Sequence, residues 1–162
     1  MDHDRFERLY EEHAQALFGF LAYRTGDRAL AEDLLGDAFE RVLRARRSFD
    51  PRRASEKTWL YSIALNALRD HQRRAAAEHR AVERAEVIHA GTGRPPATDL
   101  VDEREALERA LSALSEEERE VVALRYGGDL TLPEIAGTID EPLTTVEGRV
   151  RRALRKLRVQ LS

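Results

Sequence analysis

The chain has 162 residues, 35% of them charged, and a net charge of −3, with nine glycines, five prolines and no cysteine. This composition favours long helices over a β-sandwich or β-barrel, and the lack of cysteine excludes disulfides, zinc fingers and thiol catalysis. The charged N-terminus lacks an apolar core of signal-peptide length, and no apolar stretch approaches the roughly 20 residues that span a bilayer. We therefore expect a cytoplasmic protein without membrane insertion.

Charge is distributed unevenly along the chain. Residues 41–57 contain seven Lys/Arg and two acids, and residues 149–158 contain six Lys/Arg and no acid. Residues 99–120 contain nine acids and three arginines. Because phosphate contacts dominate affinity for DNA, small separated basic patches indicate local DNA contacts within a larger assembly. Solvated helix faces explain any one of these patches equally well.

The N-terminal half is predicted to form three helices, over residues 4–24, 28–46 and 56–86. Residues 25–27 separate the first two helices, with Asp27 as an N-cap, and residues 48–51 separate the second from the third. The third helix has one apolar and one polar stripe. The apolar stripe contains Leu60, Ile63, Ala64 and Ala67, and the polar stripe contains Ser62, Asn66, Arg69 and Arg73.

A linker is predicted over residues 88–100, where two glycines and two adjacent prolines cannot sustain a helix. Apolar spacing is helical on both sides of it, and no period-two alternation is long enough for a sheet. We therefore expect an all-α protein of two small helical domains, residues 1–87 and 101–162, joined by a flexible linker.

The C-terminal half is predicted to form four helices, over residues 101–113, 116–126, 132–139 and 145–160, with Gly127 and Gly128 ending the second of them. Three of these helices begin with the pattern of a capping box, in which a hydroxyl residue precedes a glutamate by three positions. The pairs are Ser115 with Glu118, Thr131 with Glu134, and Thr144 with Glu147.

The last two helices, joined by the short polar turn 140–143, have the layout of a helix-turn-helix. In the final helix an apolar stripe is expected to pack on the helix before it, and a basic side is expected to face the major groove. The apolar stripe is Val146, Val150, Ala153 and Leu157, and the basic side is Arg149, Arg152, Arg155 and Lys156. An ordinary surface helix with a basic exterior is the alternative.

The two halves together resemble regions two and four of the bacterial sigma-70 family, in its minimal extracytoplasmic-function (ECF) form. The resemblance to region two rests on LYEEH at 9–13, GD at 26–27, AEDLLGDAF at 31–39 and TWLYSIALN at 58–66. The resemblance to region four rests on LSEEEREVVALRY at 114–126, LPEIA at 132–136, and TV at 145–146 followed by Arg149. The match covers nearly the whole chain, and the order and spacing of the fragments make it specific.

This resemblance implies a sigma factor that binds core RNA polymerase and directs promoter-specific transcription initiation. The second helix would dock on the clamp coiled coil of the largest polymerase subunit through Asp33, Leu34, Asp37, Phe39 and Arg41. The third helix would read and open the minus-ten element through Trp59, Tyr61, Ser62, Asn66, Arg69, Arg73 and Arg74. The last helix would read the minus-thirty-five element through Thr144, Thr145, Arg149, Arg151, Arg152 and Arg155. The flap of the second-largest polymerase subunit and an anti-sigma factor are the other implied partners.

Several of these residues have a purely structural interpretation. Leu34 is expected to belong to the core, and Phe39 could also be a core residue instead of a docking residue. Trp59 is expected to pack in the core more readily than to stack on a base. Asp33 and Asp37 repel each other at a separation of one helical turn, which an external basic partner would explain. Solvation of both acids would explain them too.

The sequence departs from the family pattern at several positions. Gly36 stands where the family usually has Gln, Leu43 replaces a frequent Trp, and Glu56 lies where an aromatic residue is common. In the recognition helix, Glu147 and Gly148 replace a usual Lys/Arg-Ser pair, and an acid there should repel phosphate. These changes leave open a diverged sigma-like adaptor, which binds polymerase or an anti-sigma factor without reading promoters.

Two other classes of function fit the sequence less well. A free-standing helix-turn-helix regulator would not explain the fragment 28–74 and would bind DNA tightly without polymerase. An enzyme is not expected, because the five histidines have no metal-ligand spacing and no glycine-rich phosphate loop or nucleophile–base pair is present. We expect no catalytic residue, no metal and no cofactor.

Overall fold

The computed structural model of the chain describes residues 2–85 and 101–161, which form helices without any strand. The helices are α1 (His3–Thr25), α2 (Arg28–Ala45), α3 (Glu56–Ala85), α4 (Val101–Ser112), α5 (Glu116–Val122), α6 (Leu132–Ile139) and α7 (Leu143–Leu161). This confirms the all-α prediction. The predicted linker 88–100 lies outside the described residues, and the division into two domains stays a prediction. None of the described helices has the length and apolarity needed to cross a bilayer.

Local capping sets the ends of the N-terminal helices. Gly26, at the end of α1, has φ 66°, the left-handed conformation that favours glycine. The Asp27 side chain then accepts the N–H of Leu30 and begins α2, which confirms it as an N-cap. The three helices pack around buried residues that include Leu9, Leu17, Leu21, Leu34, Val42, Leu60 and Ala64.

The helix predicted over 116–126 is regular only as far as Val122. From Ala123 to Gly127 it continues as a π-helical turn, in which the N–H of Gly128 donates to the Ala123 carbonyl at 2.9 Å. The Arg125 guanidinium donates to the carbonyl of Leu130 at 3.0 Å and closes the following loop. The wider turn brings the glycine pair, which the sequence indicated only as a helix stop, against the N-terminal half.

Two of the three predicted capping boxes are present, at Ser115 and at Thr131. The one predicted at Thr144 is wrong. Helix α7 begins at Leu143, and the carbonyl of Pro142 accepts the N–H groups of Thr145 and Val146 at 3.0 and 3.2 Å. Because Pro142 already takes the cap position, Thr144 lies inside the first helical turn, where its hydroxyl cannot act as the N-cap.

The N-terminal half (residues 2–85) and the C-terminal half (residues 101–161) share one apolar core. Leu124, Leu130, Ile135 and Val146 belong to the same buried cluster as Phe20 and Tyr61. Glycine permits this close approach, because a Cβ on Gly19 would lie 3.2 Å from the Gly127 carbonyl oxygen. Helices α1 and α3 therefore meet the C-terminal half directly, through α6 and the π-helical turn.

Candidate nucleic-acid interface

Helix α3 presents the predicted polar stripe away from its own buried residues. Asn66, Arg69 and Arg73 are exposed, as is Arg74 beside them, while Ala64 is fully buried. The buried arc is wider than predicted and contains Tyr61, Leu65 and Leu68 in addition to the predicted Leu60, Ala64 and Ala67. It is wider because α3 packs against α1 and α2 on one side and against α6 on another.

The C-terminal half covers part of this polar stripe. The Ser62 hydroxyl lies 3.2 Å from the carbonyl oxygen of Thr138 and donates to it and to a carbonyl of its own helix. The Arg69 guanidinium lies 3.3 Å from both carboxylate oxygens of Glu120. In this arrangement Asn66 and Arg73 are exposed, with Arg73 paired to Asp70 of its own helix, whereas the C-terminal half engages Ser62 and Arg69.

The two aromatic residues predicted to contact the minus-ten element differ in exposure. Tyr61 is fully buried, and its hydroxyl donates to the carbonyl of Gly128 at 3.1 Å. Burial raises the pKa of this phenol far above its usual value. The prediction that Tyr61 faces DNA is therefore wrong for this arrangement of the two halves. Trp59 is half-buried and packs against Phe49, with ring centroids 5.0 Å apart.

The predicted polymerase-docking residues on α2 divide into exposed and buried groups. Asp33 is exposed, whereas Leu34 is 4% exposed and Phe39 is 5% exposed. The Phe39 ring lies edge-on to Phe6 at 6.0 Å and tilted against Tyr10 at 4.9 Å. Direct docking through Leu34 and Phe39 is therefore contradicted, because both side chains face the helices packed against α2.

Arg41 contacts one carboxylate on its own helix α2 and links α2 to α3 through a second. Its guanidinium lies 3.3 Å from Asp37 and 2.9 Å from Asp70, and Asp70 also accepts from Arg73. The hydrogen bond from Arg41 holds the pKa of Asp70 below its usual value. Asp37 thus has a basic partner within the chain, and its charge needs no external partner to explain it.

Helix α7 is divided as predicted into a packed side and a basic side. Val146, Val150 and Ala153 are buried, and Leu157 is partly buried against them. Of the residues predicted to read DNA, Arg151, Arg152, Arg155 and Thr144 are exposed, and Thr145 is half-exposed near the start of the helix.

Two basic residues of α7 are less available than the helical wheel predicted. The Arg149 side chain is only 18% exposed and lies 3.4 Å from Glu141, so its predicted outward position is wrong. The Lys156 ammonium lies 2.6 Å from Glu118, whose side chain is 5% exposed. Burial raises the pKa of Glu118, but hydrogen bonds from Lys156 and Ser115 outweigh it, and the net pKa lies below its usual value.

The two residues that depart from the family pattern in α7 are Gly148, which lies close to the exposed Arg152, and Glu147. A Cβ on Gly148 would lie 3.4 Å from a terminal nitrogen of Arg152, so the guanidinium lies back along the helix over position 148 at ordinary contact distance. Glu147 is half-exposed and, because Thr144 is not the N-cap, has no role in a capping box.

Contacts between the two halves include residues that the sequence did not single out. The Arg24 side chain is 7% exposed and lies 2.8 Å from Glu116, and Lys57 lies 3.2 Å from Glu134. One sequence feature accompanies this contact between the halves: Gly19 on α1 lies opposite the Gly127-Gly128 pair, where the two backbones approach closely. Within the described residues, no group of three or more His, Asp or Glu side chains could hold a metal ion.

Comparison with known proteins gives matches over both halves. A family model for sigma-70 region 2 matches residues 9–78, and one for sigma-70 region 4 matches residues 110–159. The ECF RNA polymerase sigma factor RpoE of Cereibacter sphaeroides is 31% identical over 164 aligned positions, covering 99% of this chain and 88% of that protein. The ECF RNA polymerase sigma factor SigK of Mycobacterium bovis is 27% identical, with 97% and 86% covered.

Two solved structures have a similar fold. One is the sigma factor RpoE in complex with the anti-sigma factor NepR from Bartonella quintana, with a TM-score of 0.76, 23% identity, and 98% of this chain and 97% of that chain covered. The other is CnrH in complex with the cytosolic domain of CnrY, with a TM-score of 0.65, 27% identity, and 99% and 89% covered.

Proposed function

Because the chain belongs to the sigma-70 family and to its ECF sigma factors, which are non-enzymatic regulators of transcription initiation, we propose that its two halves read the two promoter elements separately. The N-terminal half would bind the minus-ten element, and the C-terminal half the minus-thirty-five element. The observation that supports this best is the division of α7 into two sides. Its residues Val146, Val150 and Ala153 are buried against the rest of the C-terminal half, and its other side exposes a row of arginines.

We assign reading of the minus-thirty-five element to Arg151, Arg152 and Arg155. All three are exposed on α7, and a guanidinium can donate two hydrogen bonds to one guanine or bind a phosphate. Arg149 instead supports the recognition helix, because its contact with Glu141 ties α7 to the turn that precedes it. Thr144 and Thr145, at the start of the helix, are placed to contact backbone phosphate.

We assign capture of the opened minus-ten element to the polar stripe of α3. Asn66 is exposed there, and its amide can both donate and accept hydrogen bonds at a base edge. Arg73 and Arg74 are exposed about two turns further on, where they can bind the phosphates of a displaced strand.

Core polymerase is the partner proposed for the exposed side of α2. Asp33 is the assigned residue that remains accessible there, while Leu34 and Phe39 hold the helix on its core. An anti-sigma factor is a second proposed partner, because the similar structure from Bartonella quintana is a sigma factor in complex with the anti-sigma factor NepR.

Transcription in vitro with bacterial core polymerase and a promoter library tests the assignment. Arg152→Ala and Arg155→Ala should each weaken selection of the minus-thirty-five element, since loss of one base-reading arginine costs about 1–3 kcal/mol. Arg158→Ala is the matched control, because Arg158 is exposed on the same helix but lies outside the assigned set. Polymerase binding in a pull-down should be equal for all three variants. If selection by both test variants equals that of the control, α7 is not the reading helix.

A diverged sigma-like adaptor remains the second candidate function, and one observation favours it. Glu147 is a carboxylate on the recognition helix without the capping role that would explain it locally. The adaptor would bind polymerase in the same pull-down and initiate at no promoter in the library.

A further inference from the structure

Glu147 lies in the part of α7 that reaches furthest into a groove when such a helix binds DNA. It is the fifth residue of the helix, and its side chain is half-exposed. In a helix-turn-helix the N-terminal residues of the second helix enter the major groove and contact base edges. The docking that we propose for α7 therefore brings this carboxylate to the bases.

Glu147 uses neither of the local partners that could hold its charge within the chain. Thr144, three residues earlier, is not the N-cap, so no capping box forms. Arg151 follows one turn later, in the order that favours a helical ion pair. The ion pairs that α7 forms among the described side chains nevertheless involve other residues. The packing of the chain thus gives this acid no role, and an external hydrogen-bond donor would give it one.

Gly148, the next residue, is not required by the packing of the chain either. The nearest atom to a Cβ at this position would be a terminal nitrogen of Arg152, at the ordinary contact distance of 3.4 Å. Glycine inside a helix costs about 1 kcal/mol relative to alanine. A glycine that no neighbouring element requires indicates that another molecule approaches the helix backbone there. Both departures from the family pattern therefore point outwards, to the surface that meets DNA.

A carboxylate on this surface can distinguish one base from the other three. In the major groove cytosine presents only a donor, its N4 amino group, whereas guanine and thymine present acceptors and adenine presents one of each. An ionised carboxylate accepts hydrogen bonds and donates none. It is therefore attracted to the N4 group of cytosine and repelled by O6 and N7 of guanine and by O4 of thymine.

We propose that Glu147 is a specificity-determining residue, which accepts a hydrogen bond from the N4 amino group of a cytosine in the minus-thirty-five element. The exposed Arg151, Arg152 and Arg155 on the same helix keep α7 attracted to the phosphates despite the acid. This inference rests on the proposed function of α7. It gives the carboxylate a role that a sigma-like adaptor would not need.

Substitutions at position 147 should change which base is selected. Glu147→Gln replaces the carboxylate by an amide of the same size that donates and accepts, which fits adenine, and Glu147→Lys supplies only a donor, which fits guanine. Each full chain is combined with bacterial core polymerase and transcribes a barcoded promoter library randomised across the minus-thirty-five region. At one position of one strand the parent should prefer cytosine, Glu147→Gln adenine and Glu147→Lys guanine. Each preference should be about tenfold, which lies within the range of a single base-reading contact.

The same charge changes at a distant site are the matched control. Glu117 is exposed in the same half of the chain but lies on α5. Glu117→Gln and Glu117→Lys should therefore keep the cytosine preference of the parent. A single promoter gives a second readout, because thymine presents an acceptor where cytosine presents a donor. Replacing the selected C·G pair by T·A should reduce initiation by the parent about tenfold and leave initiation by Glu147→Ala unchanged.

Four results would overturn the inference. The first is a base preference that is the same for the parent and both variants at position 147, which would leave α7 a reading helix without this contact. The second is stronger initiation by both variants on every promoter without a change of base, since Glu147 would then only repel phosphate. The third is a parent that prefers another base at the position that responds to substitution, and the fourth is an equal change in the Glu117 controls. A parent that selects no base anywhere in the minus-thirty-five region gives a distinct result, because the proposed function of α7 then fails together with this inference.

Discussion

Replacing Lys156 by methionine removes the partner of a buried carboxylate. Glu118 is 4% exposed, and its carboxylate accepts from the Lys156 ammonium at 2.6 Å and from the Ser115 N–H at 2.8 Å. Methionine keeps most of the length and apolar contact of the lysine stem. The variant therefore leaves Glu118 charged and buried with one hydrogen bond fewer.

The expected loss follows from the strength and exposure of that bond. A hydrogen bond to a charged group contributes about 1.5–3 kcal/mol, and the Lys156 side chain is 47% exposed, which reduces its contribution. We expect Lys156→Met to lower the free energy of unfolding by about 1–2 kcal/mol at neutral pH. In the double variant with Glu118→Gln the loss should be much smaller, because no buried charge is left unpaired.

The pH dependence has a definite sign. The pKa of Glu118 lies below its ordinary value of 4.5, so the pair contributes its full stability above that pH and loses it as pH falls through the lowered pKa. The difference between parent and Lys156→Met should therefore shrink at acidic pH. Urea unfolding followed by circular dichroism at several pH values measures it. A loss that is independent of pH and equal in the Glu118→Gln background would refute the reasoning.

Three further predictions concern the turn and the two proposed reading helices. Asp140 ends α6 with φ 57°, a left-handed conformation that valine disfavours and glycine tolerates. Asp140→Val should therefore lower the free energy of unfolding by about 1–2 kcal/mol in urea, whereas Asp140→Gly should not, and equal losses would contradict this explanation. Gly148→Ser adds a hydroxyl beside the Arg152 guanidinium, beyond a Cβ already in contact with it, and should change the preferred minus-thirty-five sequence in a promoter library while polymerase binding stays unchanged. An unaltered preference would remove Gly148 from the specificity determinants. Asn66→Ala should reduce initiation strongly on duplex promoters and less on templates with a pre-melted minus-ten bubble, and equal activity of variant and parent on the duplex would exclude Asn66 from melting.

The bounds of the helices were predictable because their signals are local. Asp27, Ser115 and Thr131 each cap a helix by accepting the N–H of the residue three positions later. A pattern of such short spacing can be seen in the sequence alone. Thr144 shows the limit of such a pattern. The same spacing is present there, but the carbonyl of Pro142 had already begun the helix.

The exposure of individual site residues was less predictable. A helical wheel places Arg149 on the outer side of α7, yet the neighbouring turn brings Glu141 within 3.4 Å of it. A helical wheel of α2 likewise cannot show that α1 supplies the aromatic rings that cover Phe39. Exposure depends on which elements pack around a helix, and periodicity within the helix does not contain that information.

The sequence by itself determined the all-α class, the caps at Asp27, Ser115 and Thr131, and the separation of α7 into packed and basic sides. The tertiary structure alone decided which cations of α3 are paired with the C-terminal half, because Arg69 and Glu120 are 51 residues apart and Lys57 and Glu134 are 77 apart. Contacts over such separations depend on the packing of several helices at once. They leave no pattern in the short stretches of sequence from which the helices themselves can be predicted.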